Sequence, residues 1–333
     1  MIQGKQTWIF DSNPKIIGSA AVGGPYESQG ALAKDFDLLH EDIWLDQDSF
    51  EKAEREFLIQ ACETAISKAG INREDVSFFL SGDLINQIVP SSFTARMLGI
   101  PYMGLYGACA SSIEGLSIAS LIVNNKFGDN VLIGTSSHNA ASEKQYRYPT
   151  EYGSQKPPTA QWTVTGAGAA IVSLNGKGPR ITSSTIGKVI DMGLSDPFNM
   201  GAAMAPAAVD TIEEHFKDMN INHESYDFIA TGDLGKIGHT IARDLLNSHN
   251  NEIPEDKFAD CGLLMYKDRQ KVFSGGSGCA CVATTTFGHL INRIKSGELK
   301  RILVVGTGAL MSPMSYQQKE SIPCISHAVS IEM

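Results

Sequence analysis

The sequence predicts an α/β protein made of two duplicated halves, and three observations lead there. Residues 70–84 and 220–234 align without a gap at a constant offset of 150, with 7 of 15 residues identical. Agreement of that length is beyond chance at ordinary residue frequencies and signals an internal repeat. Short apolar runs without period-two alternation, such as 76–80 and 130–134, read as strands covered on both faces, as in parallel sheets. Stretches with apolar residues three and four apart lie between them and read as helices.

In chain order, residues 15–22 form a first strand that stops at Gly23-Gly24-Pro25. Asp48, followed three residues later by Glu51, is a capping-box pattern that opens a helix. Its wide apolar face repeats as Ala53, Phe57, Ala61, Ala65 and as Leu58, Cys62, Ile66, Ala69, and Gly70 ends it. A strand at 76–80 and a short helix at 93–98 come next. A strand at 101–106 then runs into Gly107-Ala-Cys109 and a helix over 110–125, followed by a strand at 130–134. Residues 139–162 are polar, with Arg147 among several tyrosines and three prolines, and read as a long ordered loop or lid. Thr165-Gly-Ala-Gly-Ala-Ala170 turns into the closing strand of this half.

Asn175-Gly-Lys-Gly-Pro179 marks the domain boundary, giving halves 1–175 and 176–333. The second half opens with a strand at 180–186, repeats the helix at 207–219 and the strand at 228–231, and closes with a strand at 328–332. Gly107-Ala-Cys-Ala-Ser-Ser112 pairs with Gly278-Cys-Ala-Cys-Val-Ala283, and Gly134-Thr-Ser136 with Gly306-Thr-Gly308. Halves related in this way pack about a pseudo-two-fold axis. The turns at Cys109, at Gly232-Asp233-Leu234 and at 276–281 then converge on a pocket at the carboxyl ends of the strands. The matched Asp83 and Asp233 read as duplicated strand-end turns.

The 333 residues carry a net charge of −10 and no Lys/Arg cluster, which argues against a nucleic-acid partner. No apolar run approaches the length needed to span a bilayer, and the first residues lack a signal-peptide pattern, so the expectation is cytoplasmic synthesis. The six cysteines are too irregularly spaced for a disulfide framework. Cys279-Ala-Cys281 lacks the partner ligands of a zinc site, so neither a metal nor a cofactor is expected.

Cys109 stands where a strand meets a helix N-terminus, flanked by Gly107, Ala108, Ala110 and Ser111. Unpaired N–H groups and the helix dipole favour a thiolate there, and small neighbours admit a ligand. The alternative is a buried structural cysteine.

This arrangement resembles the thiolase-like superfamily of thiolases and ketoacyl synthases. It does so in the duplicated βαβαβαββ plan, in Ala108-Cys109-Ala110-Ser111-Ser112 at the nucleophile position, and in Gly166-Ala-Gly-Ala-Ala170. The resemblance implies a five-layer αβαβα fold, and a homodimer paired through the strand at 101–106. Within the superfamily the chain resembles a sporulation family on three stretches: Tyr106-Gly-Ala-Cys-Ala-Ser-Ser-Ile-Glu114, Ser81-Gly-Asp-Leu-Ile-Asn-Gln87 and Ser274-Gly-Gly-Ser-Gly-Cys-Ala-Cys281. That resemblance implies a part in moving dipicolinic acid, alone or as its calcium complex, into the developing spore. It also implies other stage V sporulation membrane proteins as partners, and peripheral association with the forespore or spore inner membrane.

Two departures from the superfamily pattern matter. The turn after 228–231 is Thr231-Gly-Asp233-Leu, without the histidine of condensing enzymes, and the turn at Gly276-Ser277-Gly278-Cys279 lacks their asparagine. Acyl transfer needs a proton shuttle as well as a nucleophile. The expected function is therefore dipicolinate binding on a scaffold whose Cys109 is a vestigial nucleophile. An acyl-thioester enzyme and a structural subunit with a vestigial pocket are the alternatives. Candidate ligand-binding residues are Cys109, Ser277, Gly276 and Cys279, with His138, Lys236, His239 and Arg147 as cations for the carboxylates. Each of these four is equally explained as a solvated or packing residue.

Overall fold

The structure, a computed structural model, describes residues 1–146 and 156–333. Two sets of five strands carry the architecture. The first set is β1 (Lys15–Gly23), β2 (Phe78–Gly82), β3 (Tyr102–Gly104), β4 (Asn130–Ser137) and β5 (Gly166–Ser173). The second is β6 (Arg180–Ile186), β7 (Phe228–Thr231), β8 (Phe258–Asp260), β9 (Arg301–Ala309) and β10 (Cys324–Glu332). Across the sheet they run β3-β2-β4-β5-β1 and β8-β7-β9-β10-β6, the same order in both sets. In each set the second, third and fourth strands are parallel, and the fifth is antiparallel to both its neighbours. Even the register break in the first strand recurs, between Ile16 and Gly18 and between Ile181 and Ser183. The repeat read at 70–84 and 220–234 is thus one piece of a duplicated supersecondary plan. The two sets join at the pair Arg180–Lys15.

Among the helices of the described residues are α1 (Phe50–Ala69), α2 (Val89–Leu98), α3 (Ser111–Asn124), α4 (Asn139–Tyr146), α5 (Met200–Met219), α6 (Gly235–Ser248) and α7 (Cys279–Thr284). α1 covers the outer face of the first set, α5 covers that of the second with α6 packed on it, and α3 and α7 lie between the sets. Three apolar cores separate these five layers. One contains Phe57, Leu58 and Leu132, the central one Ile113, Ile133, Val282 and Val304, and the third Ile212, Leu303 and Val305. Leu132 and Ile133, or Leu303 and Val304, are chain neighbours that enter different cores. A strand with apolar layers on both faces has no polar side, which is why these runs do not alternate. α3 is apolar on every side for the same reason. Its Ser117 and Ser120 hydroxyls donate to the Ile113 and Leu116 carbonyls at 2.8 and 2.7 Å.

Several boundaries differ from the sequence reading. The cap of α1 is Ser49, whose hydroxyl accepts from the Lys52 N–H at 3.3 Å; Asp48 lies outside the helix and pairs with the Lys52 ammonium. α2 begins at Val89, because Pro90 fits the first helical turn. The expected loop at 139–162 opens with α4, whose Ala, Glu, Lys and Gln residues are good helix formers. Gly70 ends α1 as expected, at φ 68°.

The Gly-Ala-Gly motif of β5 has a packing cause. A Cβ at Gly168 would stand 2.6 Å from the Ala283 carbonyl carbon and 2.8 Å from its oxygen, both backbone atoms of α7. Only glycine lets α7 lie this close to the sheet. Gly168→Val should therefore destabilise the protein by about 3 kcal/mol or more, the upper range for overpacking. Urea unfolding of the variant measures this, and an unchanged midpoint would contradict the close approach.

Candidate functional site

The carboxyl ends of β2, β7 and β9 open onto a cleft of about 380 Å³, within the ~300–1,000 Å³ range of small-molecule sites. Cys109 sits at its floor, in a single turn (Ala108–Ala110) that leads into α3. Ala108 is held at φ 49°, a left-handed conformation that costs a residue with a Cβ roughly 1–2 kcal/mol. The Cys279 thiol donates to the Ala108 carbonyl at 3.0 Å and braces this elbow from behind. Of the six cysteines, Cys109 alone keeps partial solvent exposure, with its thiol largely desolvated at the floor.

Asp233 stands beside it. Cys109 and Asp233 line the same floor, close enough for the Asp233 charge to act on the thiol. The Asp233 carboxylate accepts the Thr307 hydroxyl at 2.7 Å and the Gly278 N–H at 3.0 Å. The Gln161 amide donates to the Asp233 carbonyl. Burial raises the Asp233 pKa above the usual carboxylate range. Burial, then the Asp233 and Cys279 charges, push the Cys109 thiol well above its ordinary value. This corrects the expectation of a thiolate. A helix N-terminus contributes about 0.3–1 kcal/mol in favour of a nearby anion, and desolvation with a neighbouring carboxylate outweighs it. It also revises the reading of Asp233 as merely a duplicated turn. Its counterpart Asp83 lines the same cleft but is bound to its own half. It accepts from Ser91 Oγ at 2.6 Å and from the Ser91 and Ile85 N–H groups at 2.9 and 2.8 Å, and burial raises it to about 6. Glu54, fully buried, has its carboxyl raised by burial and by the Asp83 charge.

Ser277 joins Cys109 and Asp233 in the lining, while Gly276 and Cys279 flank it without lining it. Gly276 pairs with Trp162 in a short parallel ribbon, Gly276–Ser277 with Trp162–Thr163. Three of the candidate cations lie elsewhere. His138 is buried against Phe50 and donates to the Ile43 carbonyl at 2.9 Å, and burial lowers its pKa. His239 packs on the Phe258 ring at 4.6 Å and is lowered to about 4, first by burial and then by Arg243. Lys236 is exposed outside the cleft. Arg147 lies outside the described residues. The structure thus replaces the expected cations with acids: the charged groups lining the cleft, among the described residues, are Asp83, Glu143 and Asp233. Glu143 pairs with Lys156 at 2.6 Å. The remaining wall is largely apolar, including Ile85, Ile88, Phe198, Met204 and Leu310, and no histidine lines it among the described residues. The repeat itself held the signal for Asp83 and Asp233, since both end duplicated strands at the pocket.

Such a site keeps a neutral thiol against a polar floor and an apolar slot above it. Alkylation of Cys109 by iodoacetamide at pH 8 should be slower than that of free cysteine. Asp233→Asn removes the opposing charge and should speed it, by about tenfold for each unit the thiol pKa falls. Mass spectrometry of the labelled chain checks both rates. A wild type that reacts as fast as free cysteine would refute the assignment.

Comparison with known proteins agrees with this geometry. The family model of stage V sporulation protein AD matches residues 4–332. Stage V sporulation protein AD of Bacillus subtilis (strain 168) is 47% identical over 332 residues, covering 99% of this chain and 98% of that protein. Among solved structures, 3-oxoacyl-[acyl-carrier-protein] synthase III from Aquifex aeolicus VF5 superposes with a TM-score of 0.61 at 15% identity, covering 96% of this chain and 100% of that one. Xanthomonas campestris OleA does so with a TM-score of 0.63 at 17% identity, covering 98% and 99%. These two likenesses establish the fold as thiolase-like. The chain belongs to the stage V sporulation protein AD family.

Proposed function

We propose that the cleft at Cys109 binds dipicolinate as its calcium complex, and that the protein serves as the binding component of the machinery that takes up this acid during sporulation. The observation that carries the reading is Asp233 beside Cys109 in a cleft with no histidine among its described lining. A thiol raised by burial and by a neighbouring acid is a poor nucleophile, and among the described lining residues no histidine stands ready to pass a proton to a leaving group. The scaffold is suited to holding a ligand rather than turning it over. Charge selects the form of that ligand. Dipicolinate alone carries two negative charges, and Asp83 and Asp233 oppose it, while Glu143 is paired with Lys156. Its one-to-one calcium complex is neutral and still flat, and it suits an apolar slot with Ser277 and amide groups at the floor.

Attachment at the forespore or spore inner membrane would come through other stage V sporulation membrane proteins. Among the described residues, no helix is long and apolar enough to cross a membrane. A second copy of the chain is proposed to pair along β3. That strand ends the sheet, and Phe93, Met97, Met103 and Tyr106 beside it are 40%, 55%, 38% and 62% exposed. Tyr106 also lines the cleft, so pairing would narrow its mouth.

Calorimetry with dipicolinate, with and without calcium, tests the binding. Affinity should require calcium, fall only modestly in Cys109→Ala and be abolished in Cys109→Leu, which fills the slot. The condensing-enzyme fold of the structural neighbours keeps acyl transfer as the rival reading. Multiple-turnover condensation or thiolysis of acetyl-CoA, lost in Cys109→Ala, would decide for it. Sedimentation at micromolar concentration should give a dimer mass, with an interface of roughly 2,000 Å² or more. A monomer would exclude pairing through β3.

A further inference from the structure

The ribbon formed by Trp162–Thr163 and Gly276–Ser277 has two faces. Thr163 and Ser277 line the Cys109 cleft on one, and Trp162 projects on the other. On that other face lies a trough of about 470 Å³, walled by Tyr26, Trp162 and Phe273 and edged by Lys156 and Lys271. The Tyr26 and Trp162 ring centroids are 5.0 Å apart at 43°. The Lys156 ammonium stands 5.1 Å from the Trp162 centroid and 6.0 Å from that of Phe273, while paired with Glu143. Lys271 is exposed at the mouth, on a loop that also carries Lys267 and Arg269 against the single acid Asp268. That loop is strapped to the aromatic wall: the Gln270 amide donates to the Tyr26 carbonyl at 2.8 Å, and the Lys271 N–H to the Tyr26 hydroxyl at 2.9 Å.

Phe273 is the telling residue. Its backbone is held at φ 59°, a left-handed conformation that a bulky side chain adopts only under strain. Its ring gains little burial in return, being 41% exposed. Strain that does not serve packing is stored where a side chain must be presented. Here the strain presents an aromatic face toward the trough, beside two ammonium groups, in a protein of net charge −10.

We propose that this trough is a second ligand site, separate from the Cys109 cleft, and that it takes a planar aromatic carboxylate with no metal attached. The ring stacks on the aromatic wall and a carboxylate meets the Lys271 ammonium at the mouth, with the Glu143-paired Lys156 beside the wall. The two sites then divide the chemistry by charge: the acid-lined cleft accepts a neutral complex, and the basic-edged trough accepts the free anion. They also share the Trp162–Thr163 strand as a common wall.

Isophthalate is the probe. It has the flat ring and two carboxylates, but no ring nitrogen with which to chelate calcium between them. Calorimetry in the absence of calcium should detect it binding to the wild type and, unchanged, to Cys109→Leu. Lys271→Glu should weaken it by about tenfold or more through charge reversal. Phe273→Gly should do the same while raising the thermal unfolding midpoint, because glycine relieves the left-handed strain. Gain of stability with loss of binding is an outcome that a structural role for Phe273 would not produce. No isophthalate binding to the wild type, binding that survives both trough substitutions, or binding lost in Cys109→Leu would each overturn the proposal. Isophthalate binding without calcium–dipicolinate binding would sustain the trough and refute only the cleft reading.

Discussion

The buried carboxylate of Asp233 sets the terms for the surrounding structure. A carboxyl group removed from water is costly unless its oxygens are satisfied. The Asp233 oxygens accept from Thr307 and Gly278 of its own half, and its backbone carbonyl accepts the Gln161 amide of the first half. Satisfying it therefore fixes the turn before α7. Cys279, the next residue after Gly278, holds the Ala108 carbonyl, so the strained elbow is braced from the same turn. The junction of the halves and the floor of the cleft are one hydrogen-bonded unit.

Duplication explains where these parts are but not what they do. Asp83 and Asp233 end equivalent strands, β2 and β7, yet Asp83 is occupied by Ser91 and Ile85 of the first half, while Asp233 is held by Thr307 and Gly278 of the second and lies beside Cys109 of the first. The elbow at Cys109 contributes a thiol, and its counterpart at Gly278 contributes a backbone N–H. Two copies of one plan have become complementary rather than equivalent. The thiolase-like frame places helices between the two strand sets, with apolar cores at three levels around them.

Charge is distributed with the same asymmetry. The cleft concentrates acids in a protein that is already acidic, and burial raises Asp83 and Asp233 rather than leaving them as ordinary surface carboxylates. Cations gather on the opposite face of the Trp162–Thr163 ribbon, next to aromatic rings. Buried Lys156, paired with Glu143 of the cleft lining and close to Trp162 of the trough, stands between the two environments.

Local pattern carried the fold. Apolar runs without alternation, the residues 70–84 and 220–234, and the small residues around Cys109 encode strands, duplication and an elbow through neighbours in the chain, so the sequence alone determined the thiolase-like plan and placed Cys109 and Ser277 in the pocket. The charge of that pocket was decided by tertiary structure. His138, Lys236 and His239 are suitable cations by residue type, but packing against Phe50, exposure to solvent and packing against Phe258 take them away from it. Cys109 has the helix N-terminus that favours a thiolate, but burial, together with a carboxylate more than a hundred residues distant in sequence, reverses the preference. A pKa depends on burial and on every charge nearby, and those distances exist only once the two halves have come together.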